Sequence, residues 1–170
     1  MHPHPLVLLV LALACSSSTS PSEQTDVVAF KVDGQLYVLH SNTEQVHVTL
    51  HDEILGLGAG NALEGIDLRL DLSGYTGPGT YGLGTASGHG RLVVAGVGYE
   101  TAPPKGDGSL TISSAACTTQ TEYDPVTGIT GPVTTCHVQG RFAFVGVSEA
   151  GATVAVTEGD FKATSVRGAG

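Results

Sequence analysis

Apolar and polar residues alternate in several short segments of the chain, as they do in β-strands with one buried face. The clearest case is residues 66–72, where four apolar residues alternate with three charged ones. Residues 46–51 alternate in the same way. Residues 26–32 and 35–40 flank Asp33-Gly34, a dipeptide that favours the positive φ angles of a tight hairpin turn. These segments predict a β-hairpin followed by two half-buried strands.

Further strands are predicted where apolar and β-branched residues recur between glycine-rich breaks. Residues 91–101 predict one longer strand interrupted by Gly96 and Gly98, and residues 54–62 predict a short strand or a loop. The remaining predicted strands are 109–116, 136–147, 152–157 and a last short one at Phe161. The fold predicted from this pattern is all-β, an antiparallel β-sandwich or open barrel of about eight to ten short strands.

The chain begins differently, with nine consecutive apolar residues, 6–14, followed by Cys15 and a serine-rich stretch. A helix of this length covers about half of a ~30 Å hydrocarbon core, so a membrane span is not expected. The length is typical of the apolar region of a secretory signal, although residues 1–5 contain no Lys or Arg. One interpretation of this segment is an ordinary cleaved secretory signal in which Cys15 has no role.

The residues before Cys15, ALA at 12–14, resemble with it the lipobox of bacterial lipoproteins. In such proteins the cysteine receives lipid carrying fatty acyl chains such as palmitate, and the chain is cut just before it. The resemblance implies a lipoprotein-type signal peptide at 1–14 and a lipid anchor at Cys15. Residues 15–25 are then a flexible Ser-rich tether, and residues 26–170 a single β domain.

Composition narrows the partners of this domain. Seven Lys and Arg against 16 Asp and Glu give a formal net charge of −9, and basic residues form no cluster. Phosphate backbones bind to clustered Lys and Arg, so no nucleic-acid partner is expected. The predicted contacts are with a membrane, through the N-terminal lipid, and with a protein partner, through loops. Those loops are residues 74–90, 103–108 and 118–135.

Cys117 and Cys136 are the two cysteines that remain when Cys15 carries lipid. An exported chain enters an oxidising compartment, where two such cysteines pair. The sequence therefore predicts a Cys117–Cys136 disulfide that closes a hairpin tipped by residues 123–128. A redox-active cysteine is the alternative, but the spacing is not C-x-x-C.

No residue pattern predicts catalysis, a metal or a cofactor. His47 and His51 are four apart on a predicted strand, which separates them by about 13 Å, too far to share a metal ion. Asp67 and Asp71 flank Arg69 on one strand face, where cross-strand ion pairs are expected rather than glycosidase chemistry. The G-x-G pairs at 56–58 and 82–84 lack the strand-to-helix context of a phosphate loop. We therefore expect a protein that is not an enzyme.

Five segments, KVDGQLYV, GTYGLG, GSLTISS, VQGRFAF and VTEGDF, occur in this order along residues 26–165. In this they resemble small secreted β-rich bacterial lipoproteins of unknown function, described from Gram-negative bacteria. The resemblance implies no catalytic residues. The expected function is a non-enzymatic binding or structural role at the bacterial outer membrane. The alternative is a carrier of a small apolar ligand in a barrel-like cavity.

Overall fold

The structure, a computed structural model, describes residues 26–41, 45–123, 125 and 128–167. It is all-β, with eleven antiparallel strands and no helix among these residues. The strands are β1 (Val27–Val32), β2 (Gln35–His40), β3 (Gln45–His51), β4 (Ile54–Asn61), β5 (Ile66–Ser73), β6 (Gly79–Leu83), β7 (Gly88–Val94), β8 (Val97–Glu100), β9 (Gly108–Tyr123), β10 (Thr130–Val147) and β11 (Thr153–Arg167).

The strands form one sheet with the order β2-β1-β11-β10-β8-β7-β5-β4-β3. Strand β9 lies beside most of β10, and β6 lies beside the start of β9. Strand β8 touches β10 only where Glu100 faces Val147, so two halves of the sheet meet at a narrow junction. This arrangement confirms the predicted all-β class.

The sheet curls until its β3 edge approaches the end of β11. The backbone N–H of Leu50 donates to Ser165 Oγ at 3.2 Å, and Arg167 Nη1 lies 3.8 Å from Asp52 Oδ1. These are side-chain contacts, and no ladder joins β3 to β11 in the described part of the chain. The sheet is therefore open rather than closed.

Alternation along the strands places the core on the inner, concave face. In β5 every second residue from Ile66 to Leu72 is buried, and the charged residues between them lie at the outer face, as predicted. An aromatic group links three strands, with Phe142 centred 6.0 Å from Phe30 and 6.4 Å from Phe161. Each fully buried side chain of this size stabilises the fold by about 1.5–3 kcal/mol.

The structure divides one predicted strand by a turn and joins two other predicted strands through a bulge. Residues 91–101 do not form one strand. Ala95 and Gly96, with φ of 49° and 78°, form a two-residue turn between β7 and β8. In contrast, the two strands predicted at 152–157 and at Phe161 belong to one strand, β11. This strand continues through a bulge at Glu158, where φ is 52°.

Two segments predicted as loops contain strands, and most of residues 54–62, left open as a short strand or a loop, is a strand. Residues 54–61 form β4, and β6 together with the start of β7 lies within 74–90. Residues 118–135 are mainly a two-stranded ribbon made by β9 and β10, not a loop. The reason is cross-strand pairing of threonines: Thr119 Oγ1 and Thr134 Oγ1 are 2.9 Å apart. These additions give eleven strands rather than eight to ten.

Candidate functional site

The outer face of β3, β4 and β5 carries a row of glycines between two polar strands. Gly56, Gly58 and Gly60 occupy successive outward positions of β4, where other strands carry side chains. Glycine inside a strand weakens it and marks a place where other atoms come close to the backbone. We call this row the glycine floor.

Side chains of the flanking strands lean over the glycine floor. The His47 ring lies so close to Gly58 that a Cβ atom there would overlap it. Asp71 Oδ1 lies 3.4 Å, and Asp67 Oδ1 3.3 Å, from where a Cβ at Gly56 and at Gly60 would be. Alanine at Gly58 would therefore overlap the His47 ring, and alanine at Gly60 would crowd Asp67, whereas alanine at Gly56 would meet Asp71 at an ordinary contact distance.

A cleft of about 210 Å³ lies at the Gly56 end of the glycine floor. Its polar lining is His47 and Thr49 on one wall and Arg69 and Asp71 on the other. Arg69 Nε donates to Asp71 Oδ2 at 2.8 Å, which orients both side chains while they stay partly exposed. The cleft therefore presents an imidazole, a hydroxyl, a guanidinium and a carboxylate to solvent.

The polar surface continues onto β7 and β8. Arg91 faces Arg69 across the β5–β7 pair, and His89 faces Asp71. Glu100 lies 3.6 Å from Arg91 Nε and 3.7 Å from His89 Nε2, and so offsets the charge of Arg91. Arginines and carboxylates lie together on the outer faces of β5, β7 and β8, which suits a polar ligand or a protein surface of mixed charge.

A second, larger cleft of about 510 Å³ lies beside this surface, where β8 and β10 diverge. It is lined by the β7–β8 turn at Gly96 and by the β10–β11 turn at Ser148 and Glu149. Arg91 and Glu100 belong to both the polar surface and this cleft. Turns from two hairpins thus converge at one end of the candidate site.

The structure brings three of the residues that the sequence singled out, His47, Arg69 and Asp71, into one cleft. Asp67, Arg69 and Asp71 share the outer face of β5, as expected, but Arg69 pairs with Asp71 of its own strand rather than across strands as predicted. His47 and His51 share the outer face of β3, and His51 Nδ1 contacts Asp52 Oδ2 at 2.7 Å. In the described ranges no three His, Cys, Asp or Glu residues are placed to hold a metal ion.

The predicted disulfide is present, and the predicted anchor lies outside the described residues. Cys117 and Cys136 are bonded across the β9–β10 pair. Cys15, the signal at 1–14 and the tether at 15–25 all precede Asp26, where the description begins. Within the described part, no helix is long and apolar enough to cross a membrane.

Sequence reasoning missed the cleft because it left residues 54–62 open as a short strand or a loop and assigned no strand face to their glycines. The signal was present: in residues 56–60, GLGAG, glycine occupies every second position and Leu57 and Ala59 fill the positions between. A strand with one apolar face and one bare face has this pattern. No protein family, curated protein or solved structure matches this chain, so its family is not identified.

Proposed function

We propose that this protein is a lipoprotein of the bacterial outer membrane, anchored by lipid at Cys15, whose β domain has a non-enzymatic binding role. The resemblance of its N-terminus to a lipobox supports the anchor. The Cys117–Cys136 disulfide supports export, because disulfides persist in oxidising compartments and are rare in the cytosol. The binding surface of this proposal is the cleft over the glycine floor.

One observation carries the binding role: three outward positions of β4 are glycine, and polar side chains from both neighbouring strands converge there. Glycine in place of alanine costs about 0.5–1 kcal/mol per strand position. Three such glycines therefore lower the stability of the strand, and solubility alone does not require them. Accommodating a ligand or partner close to the backbone accounts for that cost.

The proposed chemistry is recognition rather than turnover. Catalytic acids and bases need shifted pKa values in sites that exclude water. Here Arg69 and Asp71 are ion-paired on an open surface, with side-chain exposures of 65% and 39%. Such a pair holds a partner's polar groups by hydrogen bonds and leaves the partner chemically unchanged.

The carrier alternative needs an interior cavity, and the inner face of the described sheet is filled by large side chains. Leu57, Leu68, Leu92 and Phe161 are each at most 1% exposed. No observation on the described residues therefore favours an apolar-ligand carrier over a surface-binding protein.

The test is capture of a partner from envelope extracts with three immobilised forms of the protein. Arg69→Gln removes the positive charge of the guanidinium at the cleft, and Arg141→Gln is its matched control. Arg141 lies on β10, outside the cleft, and is also exposed. Its Nε atom lies 3.5 Å from Asp160 Oδ2, so it too has an aspartate nearby. A partner held by the wild type and by Arg141→Gln, but lost from Arg69→Gln, supports the proposal.

A parallel hydrolase screen tests the non-enzymatic part. Turnover that disappears in His47→Ala or Asp71→Asn would overturn the binding role and make the cleft an active site. A partner held equally by all three forms would move the binding surface away from the glycine floor.

A further inference from the structure

Strand β9 extends far beyond the strand that covers its outer side. Strand β6 pairs with β9 only from Gly108 to Ile112. From Ser113 to Tyr123, β9 has β10 on one side and no partner strand on the other among the residues that the structure describes. This free edge is roughly 35 Å long at the usual rise per residue.

The disulfide identifies which backbone groups the free edge presents. Cys117 and Cys136 are directly opposite, with Cα atoms 4.0 Å apart, the close spacing of a pair that exchanges no backbone hydrogen bonds. The N–H and C=O of Cys117 therefore point away from β10, towards the free edge. By the two-residue period, those of Ala115, Thr119, Thr121 and Tyr123 do the same.

Natural proteins protect free edges with lysines, prolines, bulges or a covering segment. The edge from Ser113 to Tyr123 contains no Lys, Arg or Pro, and its one charged residue is Glu122. Its side chains are mainly those of Ser, Ala and Thr, and its one bulge lies at its start, opposite Gln139 and Gly140. The rest of the edge is regular and suited to pairing with another strand.

We propose that this edge pairs with the same edge of a second copy of the chain, antiparallel, about a two-fold axis at Thr119. Each outward N–H and C=O from Ala115 to Tyr123 then meets its counterpart. The two carboxylates stay apart, because Glu122 lies opposite Ala116 of the partner subunit. The edge is self-complementary in this register, as an isologous dimer requires.

The exposed Tyr123 adds to the argument for a second copy. Its side chain is 64% exposed at the end of the ribbon. In the proposed register it lies opposite the partner's Ala115, a small residue that packs at the margin of the core. Pairing would cover the tyrosine and this margin together, which adds apolar burial to the backbone hydrogen bonds.

The test is the oligomeric state of the full chain carrying Cys15→Ser, which prevents lipid attachment, measured by sedimentation over a range of concentrations. Thr119→Pro and Thr119→Ala form the matched pair. Both lose the hydroxyl contact with Thr134, but only proline removes the outward N–H. Proline is tolerated where a strand N–H faces solvent, and circular dichroism checks that the fold is kept.

A concentration-dependent dimer of the wild type and of Thr119→Ala, weakened at least ten-fold in Thr119→Pro, is the expected result. A strictly monomeric wild type, or a dimer equally strong in Thr119→Pro, would overturn the proposal. Residue-level amide exchange of the wild type gives an independent test. The amides of Thr119 and Thr121 should exchange more slowly as concentration rises, and exchange independent of concentration would also overturn it.

Discussion

Cys117 and Cys136 lie directly opposite each other on the two longest strands of the sheet, and their disulfide joins those strands at the base of a projecting ribbon. On one side of the bond, Val138 and Phe142 enter the core. On the other side, residues 118–123 of β9 are all exposed. The bond therefore separates a part of the hairpin held by burial from a part held by pairing alone.

Removal of this bond should destabilise the protein without destroying its fold. Cys117→Ser with Cys136→Ser should lower the free energy of unfolding by about 3 kcal/mol, because the unfolded chain is no longer cross-linked. Denaturant unfolding measures this change, with reduced wild-type protein as the control. Equal stability of oxidised and double-substituted protein, or loss of all native structure in the variant, would contradict the account.

The fold should be much more sensitive to a methyl group at Gly140 than at Gly98. A Cβ at Gly140 would overlap the backbone oxygen of Thr111 and the ring of Phe161, whereas one at Gly98 would meet no atom within 4 Å. Gly140→Ala should therefore cost about 1–3 kcal/mol or more, and Gly98→Ala less than about 0.5 kcal/mol. Thermal unfolding of the two variants checks the order, and a reversed order would refute the packing described around Phe161.

The hydroxyl of Tyr75 is buried and has no hydrogen-bond partner among the described residues, although its ring packs 5.8 Å from that of Tyr81. Tyr75→Phe removes this polar group and keeps the ring. The variant should be as stable as the wild type or more stable by about 1 kcal/mol at neutral pH. A loss of stability of that size would mean that the hydroxyl makes a contact on which the fold depends.

The same residue should make the stability of the protein fall with rising pH in the alkaline range. Burial, and then the neighbouring Tyr81, raise the pKa of Tyr75 above its usual value of 10.0. The native state therefore holds this proton more tightly than the unfolded state, so its contribution is fully present below pH 10 and declines as pH rises above it. Stability of Tyr75→Phe should fall less steeply above pH 10 than that of the wild type, and parallel curves would contradict the raised pKa.

Much of the fold was predictable because apolar alternation is a local property of the sequence. Asp33-Gly34 forms its hairpin turn, and the alternation from Ile66 to Leu72 forms a half-buried strand. The Ala95-Gly96 turn was not predicted, because alanine seldom adopts positive φ and gives no turn signal of its own. The bulge at Glu158 was also missed, since it depends on the register of β11 against both β1 and β10.

The candidate site was less predictable than the fold, because it depends on which strands are neighbours. The sequence correctly placed Asp67, Arg69 and Asp71 on one strand face, but it predicted ion pairs across strands, whereas Arg69 pairs with Asp71 of its own strand. It also gave no sign that His47 lies across Gly58. That contact requires β3 and β4 to pair in one particular register. Only the assembled sheet brings Gly56, His47 and Asp71 together in one cleft.

We propose that lipid on Cys15 holds the β domain at the envelope, and mass spectrometry of the protein from its native membrane can detect that lipid. The account predicts a mature N-terminus at Cys15 with a mass increase that matches a diacylglyceryl group, and usually an additional acyl chain. Fatty chains of this kind contribute about 0.8 kcal/mol per buried methylene, enough in combination for stable anchoring. An unmodified Cys15, or a mature chain that begins at another residue, would contradict it.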